Sequence, residues 1–234
     1  MSKKEKIPKR IHTIILSDLH LGSRVSQSSE ATDLLKKTSF RKLILLGDIF
    51  EDLNFKQLRE RDWKFISLIG KISKTHKVRW VEGNHDLELS KIFGGLTGAR
   101  AYKVYRWRHK GKNYAAIHGH QFDDFLVNYP LIGNWAGKIY NLIQLVDFFN
   151  DKKISHFVKR SSKGWLRLSE KVAKRAILYA QMRNIDYVFC GHTHKAMELK
   201  SDGVHYYNSG CWADVPSTYI TLGDSGIKIQ KYIG

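Results

Sequence analysis

Hydrophobic residues in this chain gather into short runs separated by stretches of helical periodicity. Thr13-Ile14-Ile15-Leu16, Leu43-Ile44-Leu45-Leu46 and Val78-Arg79-Trp80-Val81 are apolar and rich in β-branched or bulky side chains, as strands buried on both faces are. Between them, Ser28 to Lys37 reads as a short helix, and Leu58 to Ile72 places Trp63, Ile66, Ile69 and Ile72 at helical spacing. The unit of strand, polar loop and helix repeats. Such alternation predicts an α/β layered domain whose ligands are held by loops at the carboxyl ends of strands.

The pattern then changes. Val104 to Arg108 and Tyr114 to Ile117 flank His109-Lys110-Gly111-Lys112, a hairpin signal. No strand pattern follows between Asp124 and Asn184, where Trp135, Ile139, Leu142, Ile143, Val146 and Phe149 and then Trp165, Leu168, Val172, Ala176 and Tyr179 recur at helical spacing. Residues 124–184 are therefore expected to form a helical cap inserted into a single domain spanning residues 1–234. Asp186 to Cys190 returns to strand, and Val204 to Tyr207, Ser217 to Leu222 and Ile227 to Tyr232 are expected to close the fold as an antiparallel sheet.

Composition narrows the function classes. With 234 residues, 42% hydrophobic, the chain can bury one substantial core, which argues against disorder. The formal net charge is +18 and the pI about 9.8, so an anionic partner is expected: a phosphorylated substrate, nucleic acid or an acidic membrane surface. About +8 of that charge falls between Asp151 and Arg183, where ten Lys and Arg face two acids. Cys190 and Cys211 are too few for a disulfide framework and are expected to be small buried hydrophobes in a reducing compartment. No apolar run approaches the roughly 18 residues of a membrane span, and the basic start lacks a signal-peptide pattern. A cytoplasmic protein is expected, with peripheral contact at the inner membrane surface left open.

The polar residues at strand ends carry the chemistry. Asp18 and His20, then Asp48, then Asn84 and His85, then His118, then His192 and His194 each follow an apolar run. Singly, each could be a capped turn or a hydrogen-bonded core histidine. Together they oversupply one metal ion with oxygen and imidazole ligands. The mixture suits manganese, iron or zinc better than calcium, and two ions sharing a bridging carboxylate would use it fully. Phosphoester or pyrophosphate hydrolysis is the expected reaction class.

Asp18-x-His20, Gly47-Asp48, Gly83-Asn84-His85-Asp86, His118 and Gly191-His192-Thr193-His194, in that order, resemble the calcineurin-like metallophosphoesterases. The resemblance implies a four-layer αββα sandwich with a dinuclear metal site at its rim. Carried over by position, Asp18, His20 and His194 would hold one ion, Asn84, His118 and His192 the other, with Asp48 as the bridge. Manganese is the favoured metal, with iron or zinc as alternatives. His85 matches the family histidine that contacts phosphate or protonates the leaving oxygen, work suited to an imidazole.

A narrower resemblance joins Ser17 to Arg24, Gly47 to Glu51, the helical insertion and Tyr207-Asn208-Ser209-Gly210 to the UDP-2,3-diacylglucosamine pyrophosphatases and their relatives. It implies a nucleotide-linked lipid substrate with acyl chains under a cap. The chain departs from the best-known of those enzymes at His85, where they carry arginine, and at His120, where an acidic residue is common. Arg24, Arg160, Lys163 and Arg167 are the candidates for substrate-phosphate contact. A phosphodiesterase or nuclease, and a non-catalytic scaffold on the same fold, are the alternative readings. Oligomeric state is left open.

Overall fold

The computed structural model describes residues 11–52, 54–86, 89–123 and 163–233, with only the backbone of Ser90, Lys91 and Lys163. The elements, in chain order, are β1 (Ile11–Leu16), α1 (Ser28–Lys37), β2 (Lys42–Leu46), α2 (Glu60–Ser73), β3 (Lys77–Val81), α3 (Leu89–Thr97), β4 (Arg100–Tyr102), β5 (Tyr105–His109), β6 (Lys112–Ala116), α4 (Lys163–Gln181), β7 (Tyr187–Cys190), β8 (Met197–Ser201), β9 (Val204–Asn208), β10 (Thr218–Gly223) and β11 (Gly226–Lys231).

They form two sheets, in the orders β11-β10-β1-β2-β3-β4 and β5-β6-β7-β9-β8. In the first, β1 to β4 are parallel, joined by helical crossovers, and β10 runs antiparallel to β1. In the second, β6, β7 and β9 are parallel between antiparallel edges.

Side-chain alternation explains the apolar runs. Ile14, Leu16, Leu43, Leu45, Val78 and Trp80 point to a core shared with α1, α2 and α3. Their neighbours Ile15, Ile44, Leu46 and Val81 point the other way, against Tyr105, Tyr114, Ala116, Phe189 and Tyr207 of the second sheet. That sheet turns Ala115, Val188, Cys190 and Tyr206 outward onto Val172, Ala173, Ala176 and Ala180 of α4. The small alanine face lets the helix approach the strands closely. Helices, sheet, sheet and helix give the expected αββα sandwich, and the inner halves of the central strands run apolar on successive residues because both their faces are covered.

Three elements went unpredicted. Helix α3 carries two glycines in nine residues, β4 has only three residues, and β8 is an edge strand with four exposed positions out of five. None offers a strong periodic signal. The expected closing sheet is also corrected: β10 and β11 pair antiparallel in the first sheet, but β9 joins the second, parallel to β7. The hairpin between β5 and β6 turns on Lys110 and Gly111, both with positive φ, the two-residue geometry that matches strand twist.

The stretch assigned to a cap divides. Residues 163–181 are α4, the outer layer over the second sheet, while residues 124–162, with Trp135, Phe149 and Arg160, lie outside the described residues. Among the described residues no helix is long and apolar enough to cross a membrane. Cys190 and Cys211 are both buried and form no disulfide, and burial pushes the Cys190 thiol upward.

Leu45 is fully buried in the middle of the first sheet. Leu45→Ala should cost about 2–5 kcal/mol through lost burial and the cavity left behind, read as a lowered denaturation midpoint.

Candidate metal centre

The parallel strands β1, β2, β3, β6 and β7 all end at one pole, and the loops that follow carry the polar clusters. Five of those residues have left-handed backbone: Asp18 (φ 53), His20 (φ 49), Asp48 (φ 50), His192 (φ 66) and His194 (φ 53). Such a conformation costs a side-chain-bearing residue about 1–2 kcal/mol and persists where the surroundings over-determine it. Here the loops brace one another. The Asp18 and His20 amides donate to the carbonyls of Gly47 (3.0 Å) and Asp48 (3.1 Å), the Gly191 amide to His118 (2.9 Å), and the Trp212 amide to Asp18 (3.0 Å). Gly83 and Gly191 allow this crowding, since a Cβ there would strike Asp48 and Asp18 respectively.

The side chains form two groups. Ligand atoms of Asp18, His20 and His194 lie within 4.8 Å of one another, and so do those of Asp48, His118 and His192. In the first, His20 Nε2 is 3.3 Å from His194 Nε2, which is 3.2 Å from Asp18 Oδ1. In the second, His118 Nε2 is 3.1 Å from Asp48 Oδ2. By distance Asp48 sits with the second group; its expected bridging role requires the ions themselves.

The donor set fits divalent ions. The Asn84 Oδ1 is buried and makes no hydrogen bond among the described residues, while His118 Nε2 has only the Asp48 carboxylate beside it. An unpaired buried amide oxygen is costly unless a cation takes up its lone pairs. Three of the histidines are also oriented from behind. His118 Nδ1–H donates to the Leu46 carbonyl (2.8 Å), His20 Nδ1 lies 2.8 Å from Glu51 Oε2, and His192 Nε2 lies 3.1 Å from Asp123 Oδ2. Such contacts select the tautomer that leaves the other nitrogen for a metal.

Electrostatics agree. Burial alone would lower the His20 and His118 pKa values. The Glu51, Asp48 and Asp18 carboxylates outweigh it at His20 and raise it to about 9, and Asp48 and Asp18 raise His118 to about 10. Burial would raise Asp48, yet His118 and His85 hold it well below the usual carboxylate range. Without metal, protons on these histidines balance the buried acids.

Asp86 closes the site from below. Fully buried, it accepts the Gly83 amide (2.8 Å) on one oxygen and the Ile49 amide (2.7 Å) on the other, which ties the Asn84 loop to the Asp48 loop. Burial and nearby Asp48 push its pKa up to about 6. Asn208 does similar work, donating to the Gly191 carbonyl (2.7 Å) and Thr193 Oγ1 (3.1 Å), while Ser17 and Ser209 hydroxyls meet at 2.7 Å. Glu51, Asp86 and Asn208 stand in the sequence motifs and Asp123 outside them, and nothing in their spacing reveals their positioning work.

His85 is partly buried, and its amide donates to Asp48 Oδ1 (2.9 Å). Its Nδ1–H donates to the Glu51 carbonyl (2.7 Å), leaving Nε2 without a partner among the described residues. Its ring stands edge-on to His20 at 5.1 Å. His120 is held neutral by burial and by His118, with its pKa lowered to about 3. Among the expected phosphate contacts, Arg24 is exposed on the first metal-bearing loop, where its carbonyl accepts from Arg61 (3.2 Å), and Arg167 is exposed on α4. Lys163 opens α4 without a described side chain, and Arg160 lies outside the described residues.

A calcineurin-like phosphoesterase superfamily domain model matches residues 11–222, a span that takes in every strand except β11. The chain belongs to that superfamily. Among solved structures, this superfamily member is similar in fold to Yfce, a phosphoesterase from E. coli (14% identity, 91% of this chain and 88% of that one, TM-score 0.51). An archaeal phosphodiesterase is equally similar (13% identity, 94% and 98%, TM-score 0.51). Vps29 from Entamoeba histolytica, complexed with zinc, is a looser likeness (13% identity, 94% and 97%, TM-score 0.45). No curated protein matches the sequence.

Three outcomes follow from the site. Since His20 and His118 hold protons up to about 9 and 10 in the metal-free protein, metal must displace them. Apparent metal affinity should therefore rise as pH rises from 7, with proton release seen in titrations across buffers of different ionisation enthalpy; a pH-independent affinity would contradict the ligand assignment. The same raised pKa values stabilise the metal-free fold below about 6.5, and that contribution is lost as pH climbs through about 9 to 10. Asp86→Asn replaces one acceptor oxygen with a donor amide, so one of two buried N–H groups loses its partner. It should cost about 1–3 kcal/mol in chemical denaturation and weaken metal retention.

Proposed function

We propose that the protein is a metal-dependent phosphohydrolase with a two-ion centre, favouring manganese, that cleaves a phosphoester or pyrophosphate bond. The observation that carries this reading is the pair of ligand groups meeting at one pole, with Asn84 Oδ1 buried beside them and free of hydrogen bonds among the described residues. Asp18, His20 and His194 would hold one ion and Asn84, His118 and His192 the other, with Asp48 between them. Ions bound there would supply Lewis-acid polarisation of phosphoryl oxygens and acidify a water.

The chain's own groups do the rest. Glu51 holds His20, and Leu46 holds His118, in fixed orientations, so the ligand cradle is built before substrate arrives. His85, anchored through Nδ1 to Glu51, keeps Nε2 free to donate a proton to the leaving oxygen. Asp86 fixes the loop that sets both His85 and Asn84.

For the substrate we infer a nucleotide-linked pyrophosphate of the UDP-2,3-diacylglucosamine kind, handled at the inner membrane surface by a cytoplasmic enzyme. The support is the motif resemblance, whose separate segments meet in the fold: Ser17 beside Ser209 and Gly210, and Glu51 on His20. Arg24 on the first loop is the proposed phosphate contact.

Metal-reconstituted protein should hydrolyse UDP-2,3-diacylglucosamine in detergent or vesicles. Cleavage of polynucleotides with steep salt dependence would move the reading to a nuclease, and no turnover of any phosphoester with metal bound would defeat it. Asp48→Ala should abolish turnover and reduce bound metal by elemental analysis. His85→Ala should retain both ions while losing roughly 10²–10⁴ in kcat.

A further inference from the structure

At the pole opposite the metal centre, where the parallel strands begin, several cations gather, and the innermost of them have no carboxylate partner among the described residues. Lys42 opens β2 and is only 7% exposed, its Nζ lying 5.4 Å from the ring centre of Tyr105 and 5.0 Å from that of Trp107. Lys77 is its register partner on β3, and Arg79 packs over Tyr105 at 5.7 Å. Among the described residues no carboxylate pairs with Lys42 or Arg79, and Arg79 Nε is buried with no hydrogen-bond partner. Burial, then Arg79 and Lys77, pull the Lys42 pKa down to about 8. His12 and His109, 4.7 Å apart ring to ring, are both lowered by burial and then by each other or by neighbouring lysines.

A chain of rings leads from these cations to a cavity. Trp107, under Lys42, stacks on Tyr114 at 5.2 Å, Tyr114 on Tyr187 at 4.7 Å, and Tyr187 on His205 at 4.9 Å. Tyr114, Tyr187 and His205 line a space of about 300 Å³ between the ends of the two sheets, with His109 and Lys110 at its edge. Asp224, also on that edge, pairs with Lys110 at 3.4 Å. The volume is at the small end of ligand sites.

Cations confined together without counter-ions are unfavourable, and an anion drawn to Lys42 and Arg79 would relieve them. Flat π-surfaces beside such cations suit one ligand chemistry above others, a base attached to a phosphate. We propose that this pole is a second site, distinct from the metal centre, for a nucleotide unit whose base enters the cavity lined by Tyr114, Tyr187 and His205 and whose phosphate reaches out of it toward Lys42 and Arg79. The unit is either a free nucleotide or part of a single strand.

The test titrates AMP, a short single-stranded oligouridylate and inorganic phosphate into the full-length chain, by calorimetry and tryptophan fluorescence. An Asp48→Asn background separates this site from the metal centre. Binding of AMP or the oligonucleotide should survive in that background and weaken about tenfold in Tyr187→Leu and in Lys42→Gln, with Lys42→Arg restoring it. The exposed Lys110→Ala, which leaves the fold alone, should weaken it by a smaller factor. AMP saturating at one equivalent identifies a free nucleotide, whereas much tighter, salt-sensitive oligonucleotide binding identifies a strand. Loss of binding in Asp48→Asn, indifference to Lys42→Gln and Tyr187→Leu, or inorganic phosphate binding as tightly as AMP would each overturn the proposal.

Discussion

Buried charge at one pole of the sandwich is the constraint from which the rest of this structure follows. Asp18, Asp48 and Asp86 are removed from water within a few residues of strand ends, alongside His20 and His118. Carboxylates so placed are tolerable only with compensation. The chain supplies it with backbone amides, with histidines driven to hold protons, and with a ligand geometry that divalent ions would complete. Glu51 on His20 and the Leu46 carbonyl on His118 then serve two ends at once, fixing ring orientation and balancing charge.

The layered topology makes this affordable in conformational terms. Parallel strands place their carboxyl ends side by side, so residues distant in sequence meet without long excursions. Two sheets packed face to face bring β1, β2 and β3 opposite β6 and β7, which is how Asp48 reaches His118. Both outer faces are shielded by helices, and the loops at the pole are left as the accessible polar ground.

Much of this was legible in the chain. The runs at Ile14, Leu43 and Val78 announced strands covered on both faces, and ligand types at successive strand ends announced a metal site. Less visible were features decided by packing. The edge strand β8 has nothing to bury and so no pattern, and β9 was expected beside β10 and β11 because its apolar run suits either sheet. Asp86 and Asn208 looked like ordinary turn residues; their importance lies in buried hydrogen bonds between loops, which no spacing rule encodes.

The left-handed backbone at Asp18, His20, Asp48, His192 and His194 has a bearing on how such a chain can change over time. Asp, Asn and His are the side-chain-bearing residues that best tolerate that conformation, and they are also hard or borderline metal ligands. Coordination chemistry and backbone geometry thus select from the same short alphabet. A descendant released from metal chemistry would still be held to Asn, Asp or Gly at these positions. The shape of the loops would outlast the reaction, and a ligand-like residue there would by itself be poor proof that the reaction survives.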